Sequence, residues 1–206
     1  ICLLLIWIFA LVIAITASAR QIPSEIESGT IFPLLAKPVT RTEVLVGKAL
    51  GCWIATGVAL LLFYLIFGLL AASWEHSLDF SLNIQSYFAH WVMLGIVISM
   101  AFLGSVIFAA PSSNTTICLV VVVAIMVLGR HLNNLSLNMS EPLRTIIQVI
   151  YFSIPHIELF DFRKLLVHNY PAVAWDKFFL LLIYGIAYSL IFTLIACLVF
   201  NRKRLR

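Results

Sequence analysis

Two groups of polar residues have side chains capable of binding or catalysis, but neither has the complete pattern of a site. Gly47 and Lys48 match the end of the nucleotide-binding motif GxxxxGK[ST], yet the glycine required five positions before Gly47 is absent. His156, Glu158 and Asp161 are metal-ligating residue types at close spacing. The same composition is typical of a polar turn at a membrane surface, and we favour that interpretation. The sequence therefore predicts no catalytic, cofactor-binding or metal-binding residue.

A third polar group, residues 20–48, has the pattern of two helix starts. Ser24 with Glu27, and Thr40 with Glu43, each match the S/T-x-x-E capping box. In this motif the two side chains bond the backbone N–H groups that the first turn of a helix leaves without partners. The segment therefore contains two predicted helices rather than an irregular loop.

The two predicted helices have different roles. Pro38 separates them, because a proline disfavours helical geometry in the residue before it. The first helix is expected from Ser24 to Leu35, with Ile26 on an apolar stripe, so that it lies along a membrane surface. The second is expected to begin near Arg41 and to continue into the next apolar segment without a break. Its first two turns would then project out of the membrane.

The composition indicates that the helices carrying these residues lie in a membrane. Of the 206 residues, 63% are hydrophobic and 11% are charged, and the mean hydropathy is +1.08. A soluble domain has about a quarter charged residues, so this chain lacks the polar surface that water requires. The composition excludes a soluble enzyme, a secreted disulfide scaffold and a disordered chain. A nucleic-acid binder is excluded too, since the net charge of +4 arises from few charges.

Five apolar segments predict an all-α, polytopic transmembrane helical bundle that forms a single domain. The predicted spans are 1–19, 49–72, 87–110, 115–135 and 178–200. The apolar run in the fourth, 115–129, is the shortest of the five and needs flanking residues to span. Its valine-rich stretch is typical of a strand in a soluble protein. A lone strand leaves its backbone groups unsatisfied in lipid, so we predict a helix there.

The positions of lysine and arginine predict the orientation of the bundle. Basic residues are concentrated in segment 20–48 and at the carboxyl terminus, whereas the loop 73–86 has none. Because short basic loops stay in the cytoplasm, the first two regions are expected on the cytoplasmic side. The outer segment 136–177 is too apolar for a hydrated loop and is expected to form re-entrant or interfacial helices, broken at Pro155.

The amino-acid sequence of segment 20–48 closely resembles that of ABC-2-type transporter permeases. The residues that carry the resemblance are Glu25-Ile-Glu27-Ser-Gly29-Thr30, Leu34-Leu35-x-x-Pro38-Val-Thr-Arg41 and Gly47-Lys48. The family has an acidic-Gly-Thr stretch, then a Leu-Leu-x-x-Pro-[Val/Ile]-[Ser/Thr]-Arg turn, and a Gly-Lys at the next span. In that family this loop forms the coupling helix, which docks in a cleft of a separate ATPase subunit.

The resemblance implies a permease subunit that moves a substrate across the membrane with energy from ATP hydrolysis in a partner. The chain would not be an enzyme, and ATP and Mg would bind the partner. The other implied partners are a second permease subunit, in a homodimer or heterodimer, and membrane lipid, with no nucleic acid. The implied location is a prokaryotic inner membrane with the carboxyl terminus in the cytoplasm. The predicted residues of the ATPase-coupling interface are Glu25, Glu27, Gly29, Thr30, Leu34, Leu35, Pro38, Arg41 and Glu43.

The five predicted spans correspond to spans two to six of the family. The sequence begins with Ile1 rather than a methionine, so we expect a preceding amino-terminal part that contains span one. An alternative interpretation is a non-transporting membrane scaffold that anchors a larger complex. A secondary carrier is disfavoured, because proton and ion pathways usually contain charged residues within the spans.

Overall fold

The computed structural model is built from helices. It describes residues 2–30, 39–74, 80–108, 110–137, 141, 143–145, 147, 149, 154–168 and 170–203. The helices are α1 Cys2–Ala19, α2 Gln21–Glu27, α3 Arg41–Trp74, α4 Phe80–Ile107, α5 Pro111–Leu137, α6 Arg163–Val167 and α7 Trp175–Arg202, with a 3-10 turn at Ile157–Phe160. The described residues contain no strand, which confirms the prediction of an all-α fold.

Four of these helices are long and apolar enough to cross a bilayer. They cover Cys2–Glu27, Arg41–Ser73, Phe80–Ile107 and Trp175–Arg202. A 28-residue helix is about 42 Å long, which exceeds a hydrocarbon core of about 30 Å. The apolar part of α5, Pro111–Val127, is shorter, as its sequence predicts. The prediction of a polytopic transmembrane bundle is confirmed, whereas the division into five spans stays a prediction.

Helix α4 is the centre of the bundle. In its most apolar 18-residue stretch 78% of the residues are buried, against 11% for α7 and 17% for α3. It contacts α1, α3, α5 and α7. Small residues at Gly95, Ala101 and Gly104 let the neighbouring helices approach closely, as is typical of membrane bundles. The outer faces of α3 and α7 are therefore exposed at the surface of this chain's bundle.

Two tryptophans join α3 to α4 in the middle of the bundle. The indole N–H of Trp53 donates to the carbonyl oxygen of Trp91 at 2.9 Å, and that of Trp91 donates to the carbonyl of Trp53 at 3.0 Å. Their rings stack with centroids 5.0 Å apart. Gly57 lies against Trp91 and Gly95 against Trp53. Both indole donors are thus satisfied inside the apolar interior, where an unpaired donor is costly.

Several helix ends meet at one end of the bundle, which we call the basic end. Asn114 Nδ2, near the start of α5, donates to the last carbonyl of α1, that of Ala19, at 2.7 Å. Lys203 Nζ, after the end of α7, donates to Val106 O near the end of α4 at 2.6 Å. Arg41 at the start of α3 bonds the same end of α7. The two basic regions of the sequence therefore lie at the same end, as their charge predicts.

Candidate partner-binding site

Helix α2 begins earlier than predicted, and the Ser24–Glu27 capping box is wrong. Ser24 lies inside α2, where its hydroxyl donates to the carbonyl of Arg20. Its backbone N–H donates to the same carbonyl at 3.1 Å. Only Arg20 separates α1 from α2, and its carbonyl is the acceptor of both bonds. The start of α2 has no side-chain cap hydrogen bond.

The same helix also ends earlier than predicted. We expected a helix from Ser24 to Leu35, but α2 ends at Glu27. Gly29 follows with a φ of 70°, the left-handed geometry that commonly ends helices and that glycine adopts without strain. Leu34, Leu35 and Pro38 lie outside the described residues. Of the predicted interface, the described part is therefore the two ends of the connection between α2 and α3.

Helix α2 buries one face against the bundle and exposes the other. Ile22 is fully buried, and Ile26 packs against the core. The helix contacts α4 and α5. Glu27 and Thr30 are exposed, and the Thr30 hydroxyl lies 2.9 Å from that of Ser28. The predicted amphipathic character is confirmed, and the exposed edge is polar.

Glu25 fixes α2 to α3. Its Oε1 accepts a hydrogen bond from Lys48 Nζ in an ion pair, and the two side chains are 24% and 22% exposed. Lys48 Nζ also lies 3.5 Å from Gln21 Oε1. Because both charges are mostly shielded from water, their attraction is screened less than at an open surface. Lys48 therefore has a structural partner in α2.

The second capping box is confirmed. The backbone N–H of Thr40 donates to Glu43 Oε2 at 2.7 Å, and the N–H of Glu43 donates to Thr40 Oγ1 at 3.2 Å. Glu43 is exposed. Helix α3 then runs for 34 residues without a break, which is about 51 Å. A fixed start and an unbroken helix make α3 a rigid connection from Thr40 to the far side of the bundle.

Arg41 joins the start of α3 to the end of α7. Its Nη1 donates to the carbonyl oxygens of Lys203 at 2.6 Å and Phe200 at 3.3 Å. The guanidinium carbon lies 5.9 Å from the centre of the Phe200 ring. Beside it, Asn201 Nδ2 donates to Thr42 Oγ1 at 3.0 Å. The last carbonyls of a helix lack partners within it and carry partial negative charge, so an arginine there is stabilising.

Comparison with known proteins adds to this geometry. A family model described as an ABC-2 family transporter protein matches residues 4–205. The chain belongs to the ABC-2 transporter family. Searches of curated proteins and of solved structures found no match. The resemblance predicted from segment 20–48 is thus confirmed over nearly the whole chain, and the protein is an integral membrane permease component of a transporter.

The predicted interface residues that the structure describes in this ABC-2 chain are of two kinds. Glu25 and Arg41 have partners within the chain, and Glu43 caps α3. Glu27 and Thr30 are exposed at the end of α2. The first three anchor the two ends of the connection between α2 and α3, whereas the last two are accessible to another protein. Contact of any of them with an ATPase stays a prediction.

Asn114 is a residue of the ABC-2 chain that sequence reasoning missed. It is fully buried, and its Nδ2 donates to Ala19 O at 2.7 Å and to Ala101 O at 3.2 Å. Its Oδ1 accepts from Cys118 Sγ at 3.3 Å. One side chain thus holds α1, α4 and α5 together at the basic end. The sequence feature that could have indicated this role is an amide side chain directly before the apolar segment 115–129.

The possible metal-ligating residues of the ABC-2 chain, His156, Glu158 and Asp161, lie in a turn against the bundle. Asp161 accepts hydrogen bonds from Arg163 Nε at 2.7 Å and Nη2 at 2.8 Å, and these bonds raise the pKa of Arg163. The backbone N–H of His156 donates to the Tyr184 hydroxyl at 2.9 Å. Phe160, in the 3-10 turn, is buried. The described residues hold no cluster of three metal-ligating side chains.

Proposed function

We propose that this chain is the permease subunit of an ABC-2 transporter that is driven by a separate ATPase subunit. ATP and Mg would bind that subunit, and a second permease subunit would complete the transport path. The observation that carries the proposal is the pair of hydrogen bonds from Arg41 to the end of α7. Through these bonds, a force on the loop between α2 and α3 reaches two spanning helices at once.

The proposed mechanism begins with closure of the ATPase dimer on ATP binding. The closing subunit would push on the exposed end of α2, at Glu27 and Thr30. The ion pair of Glu25 with Lys48 makes α2 and α3 move together, and Arg41 adds the end of α7. A rigid helix about 51 Å long then carries the shift across the bilayer. The gate between the permease subunits would open toward the outside.

The charge distribution supports energy input from outside the bilayer. The segments 49–72, 87–110, 115–129 and 178–200 contain no Asp, Glu, Lys or Arg. Proton-coupled carriers usually have charged groups in such positions. The basic end, which contains the loop, is the cytoplasmic side in this proposal. The proposed location is a prokaryotic inner membrane.

Replacement of Glu27 by lysine is expected to lower permease-dependent ATP hydrolysis at least about fivefold, the usual effect of losing an important interface contact. Glu27 is exposed at the end of α2, so the change reverses a charge at the proposed contact without removing a packed side chain. The measurement is ATP hydrolysis by the co-purified complex in proteoliposomes, with membrane insertion checked in parallel.

Asp176→Lys is the matched control. Asp176 is an exposed acidic residue in the first turn of α7, so it lies at the end of the bundle opposite Arg41. We expect wild-type hydrolysis from it. Wild-type hydrolysis from Glu27→Lys, or an equal loss from both variants, would exclude the proposed contact. A scaffold would bind its partner without changing the rate of ATP hydrolysis, so unstimulated hydrolysis by the wild-type complex favours that alternative.

A further inference from the structure

A second candidate site lies at the opposite end of the bundle from the loop. It is a cavity of about 560 Å³ between α1, α5 and the polar turn that contains α6. This volume is in the range of small-molecule sites. One wall is apolar, with Leu3 and Leu4 of α1 and Met126 and Val127 of α5. The other wall is charged, so the cavity suits a molecule that is apolar at one end and charged at the other.

The depth of the cavity is near that of lipid headgroups. Leu3 is 16 residues before Ala19, which is about 24 Å along α1, and Val127 is 13 residues after Asn114, about 20 Å along α5. Ala19 and Asn114 meet at the basic end. In a hydrocarbon core of about 30 Å that begins at the basic end, the apolar wall thus lies about 6–10 Å inside the far boundary, beside the acyl-chain carbons nearest the headgroups.

The charged wall holds a carboxylate with one oxygen that lacks a donor. Glu158 lines the cavity, and its Oε2 is buried with no hydrogen-bond partner among the described residues. Such an atom is costly unless a donor reaches it. Asp161 and Arg163 are paired with each other, and Arg163 also lies over the Trp7 ring at 4.6 Å. The Arg163 guanidinium is therefore already engaged within the chain.

The charged wall also holds a cation. Lys164 lines the cavity and is exposed, and no ion pair joins it to a carboxylate in the described part of the chain. A lysine ammonium is a common partner of phosphate. The cavity is therefore lined by a carboxylate with one oxygen that lacks a donor, that of Glu158. Lys164 lies beside the apolar wall as a cation without an ion-pair partner among the described residues.

We propose that this cavity binds the headgroup of a phospholipid that carries a primary ammonium, of the phosphoethanolamine class. The ammonium donates a hydrogen bond to the Glu158 carboxylate, which turns its buried Oε2 toward the cavity to accept it. The phosphate pairs with Lys164, and an acyl chain lies along the apolar wall. A choline headgroup has no N–H to donate, and a glycerol headgroup has no positive charge for the carboxylate. The site therefore distinguishes headgroups by their amine.

The test is native mass spectrometry of the purified full chain with three phospholipids that share the same acyl chains and differ in headgroup: ethanolamine, choline or glycerol. We expect the ethanolamine lipid to bind about tenfold more tightly than the choline lipid, since one charge-assisted hydrogen bond distinguishes them. Equal binding of the ethanolamine and choline lipids would overturn the proposal.

Two variants assign the roles. Glu158→Gln keeps the shape of the side chain and is expected to reduce the ethanolamine preference to about threefold or less, because a charge-assisted bond becomes a neutral one. Lys164→Gln is expected to weaken the binding of all three lipids to the same extent. Glu141→Gln removes an exposed carboxylate that does not line the cavity, and the preference should remain. A preference that survives Glu158→Gln in a chain with unchanged thermal unfolding would contradict the site.

A competition experiment distinguishes a lipid from a soluble ligand at this site. Glycerophosphoethanolamine has the same headgroup without acyl chains, and it is expected to compete at least about tenfold more weakly than the lipid, because it leaves the apolar wall exposed. Competition at equal concentration would show a soluble phosphoester site and would overturn the lipid assignment.

Discussion

Replacement of Arg41 by glutamine is expected to leave the ATPase subunit bound but to lower permease-dependent ATP hydrolysis about tenfold or more. The variant loses two hydrogen bonds from a charged donor to the end of α7, and bonds of this kind contribute about 1.5–3 kcal/mol. The loop would then move α3 without moving α7. Hydrolysis and co-purification of the ATPase subunit are measured on the same preparation.

Arg202→Gln provides the matched control for Arg41→Gln. Arg202 is exposed in the last turn of α7, so the same charge is removed at the same end of the bundle. We expect it to retain near wild-type hydrolysis, and Arg41→Lys to fall between wild type and Arg41→Gln. If Arg202→Gln loses as much activity as Arg41→Gln, the basic charge of this end matters and the specific hydrogen bonds do not.

Replacement of Gly104 by alanine is expected to destabilise the bundle by about 2–4 kcal/mol, from overpacking and loss of a buried hydrogen bond. An added Cβ would lie 2.2 Å from Asn114 Oδ1. Asn114 cannot move aside freely, because its Nδ2 bonds the carbonyls of Ala19 and Ala101. The variant must therefore either break this junction or push α4 away from α5. Thermal unfolding in detergent measures the change.

Gly47→Ala and Gly51→Ala provide the matched controls for Gly104→Ala. An added Cβ at either position meets nothing within 4 Å. Both residues lie inside α3, where alanine is favoured over glycine by about 0.5–1 kcal/mol, so these variants should be as stable as the wild type or more so. A similar loss in all three variants would mean that the Asn114 junction has no special role.

The sequence predicted those features that depend on composition or on near neighbours in the chain. The apolar segments predicted the helices, and the Thr40–Glu43 capping box depends on residues three positions apart. Ser24 and Glu27 have the same spacing, but the capping box predicted from it does not form. Whether a helix begins with a side-chain cap depends on the chain before it. There, α2 begins one residue after the end of α1, and it has no side-chain cap hydrogen bond.

The contacts between distant segments were not predictable from one sequence. Arg41 and Lys203 are 162 positions apart, and nothing local to either residue indicates the other. Glu25 and Lys48 form an ion pair that depends on how α2 turns back on α3. For this reason the predicted interface combined anchoring residues with accessible ones. The interface itself stays a prediction, and the roles of its members within the chain required the structure.

Site-specific photocrosslinking tests most directly the claim that the connection between α2 and α3 contacts a separate ATPase. A photoreactive residue is placed at Thr30, which is exposed at the end of α2, and in parallel at Asp176, which is exposed at the far end of the bundle. After irradiation of membranes, we predict that Thr30 crosslinks to a subunit with nucleotide-binding motifs and that Asp176 does not. Absence of that crosslink from Thr30, in a complex that co-purifies intact with its ATPase, would contradict the claim.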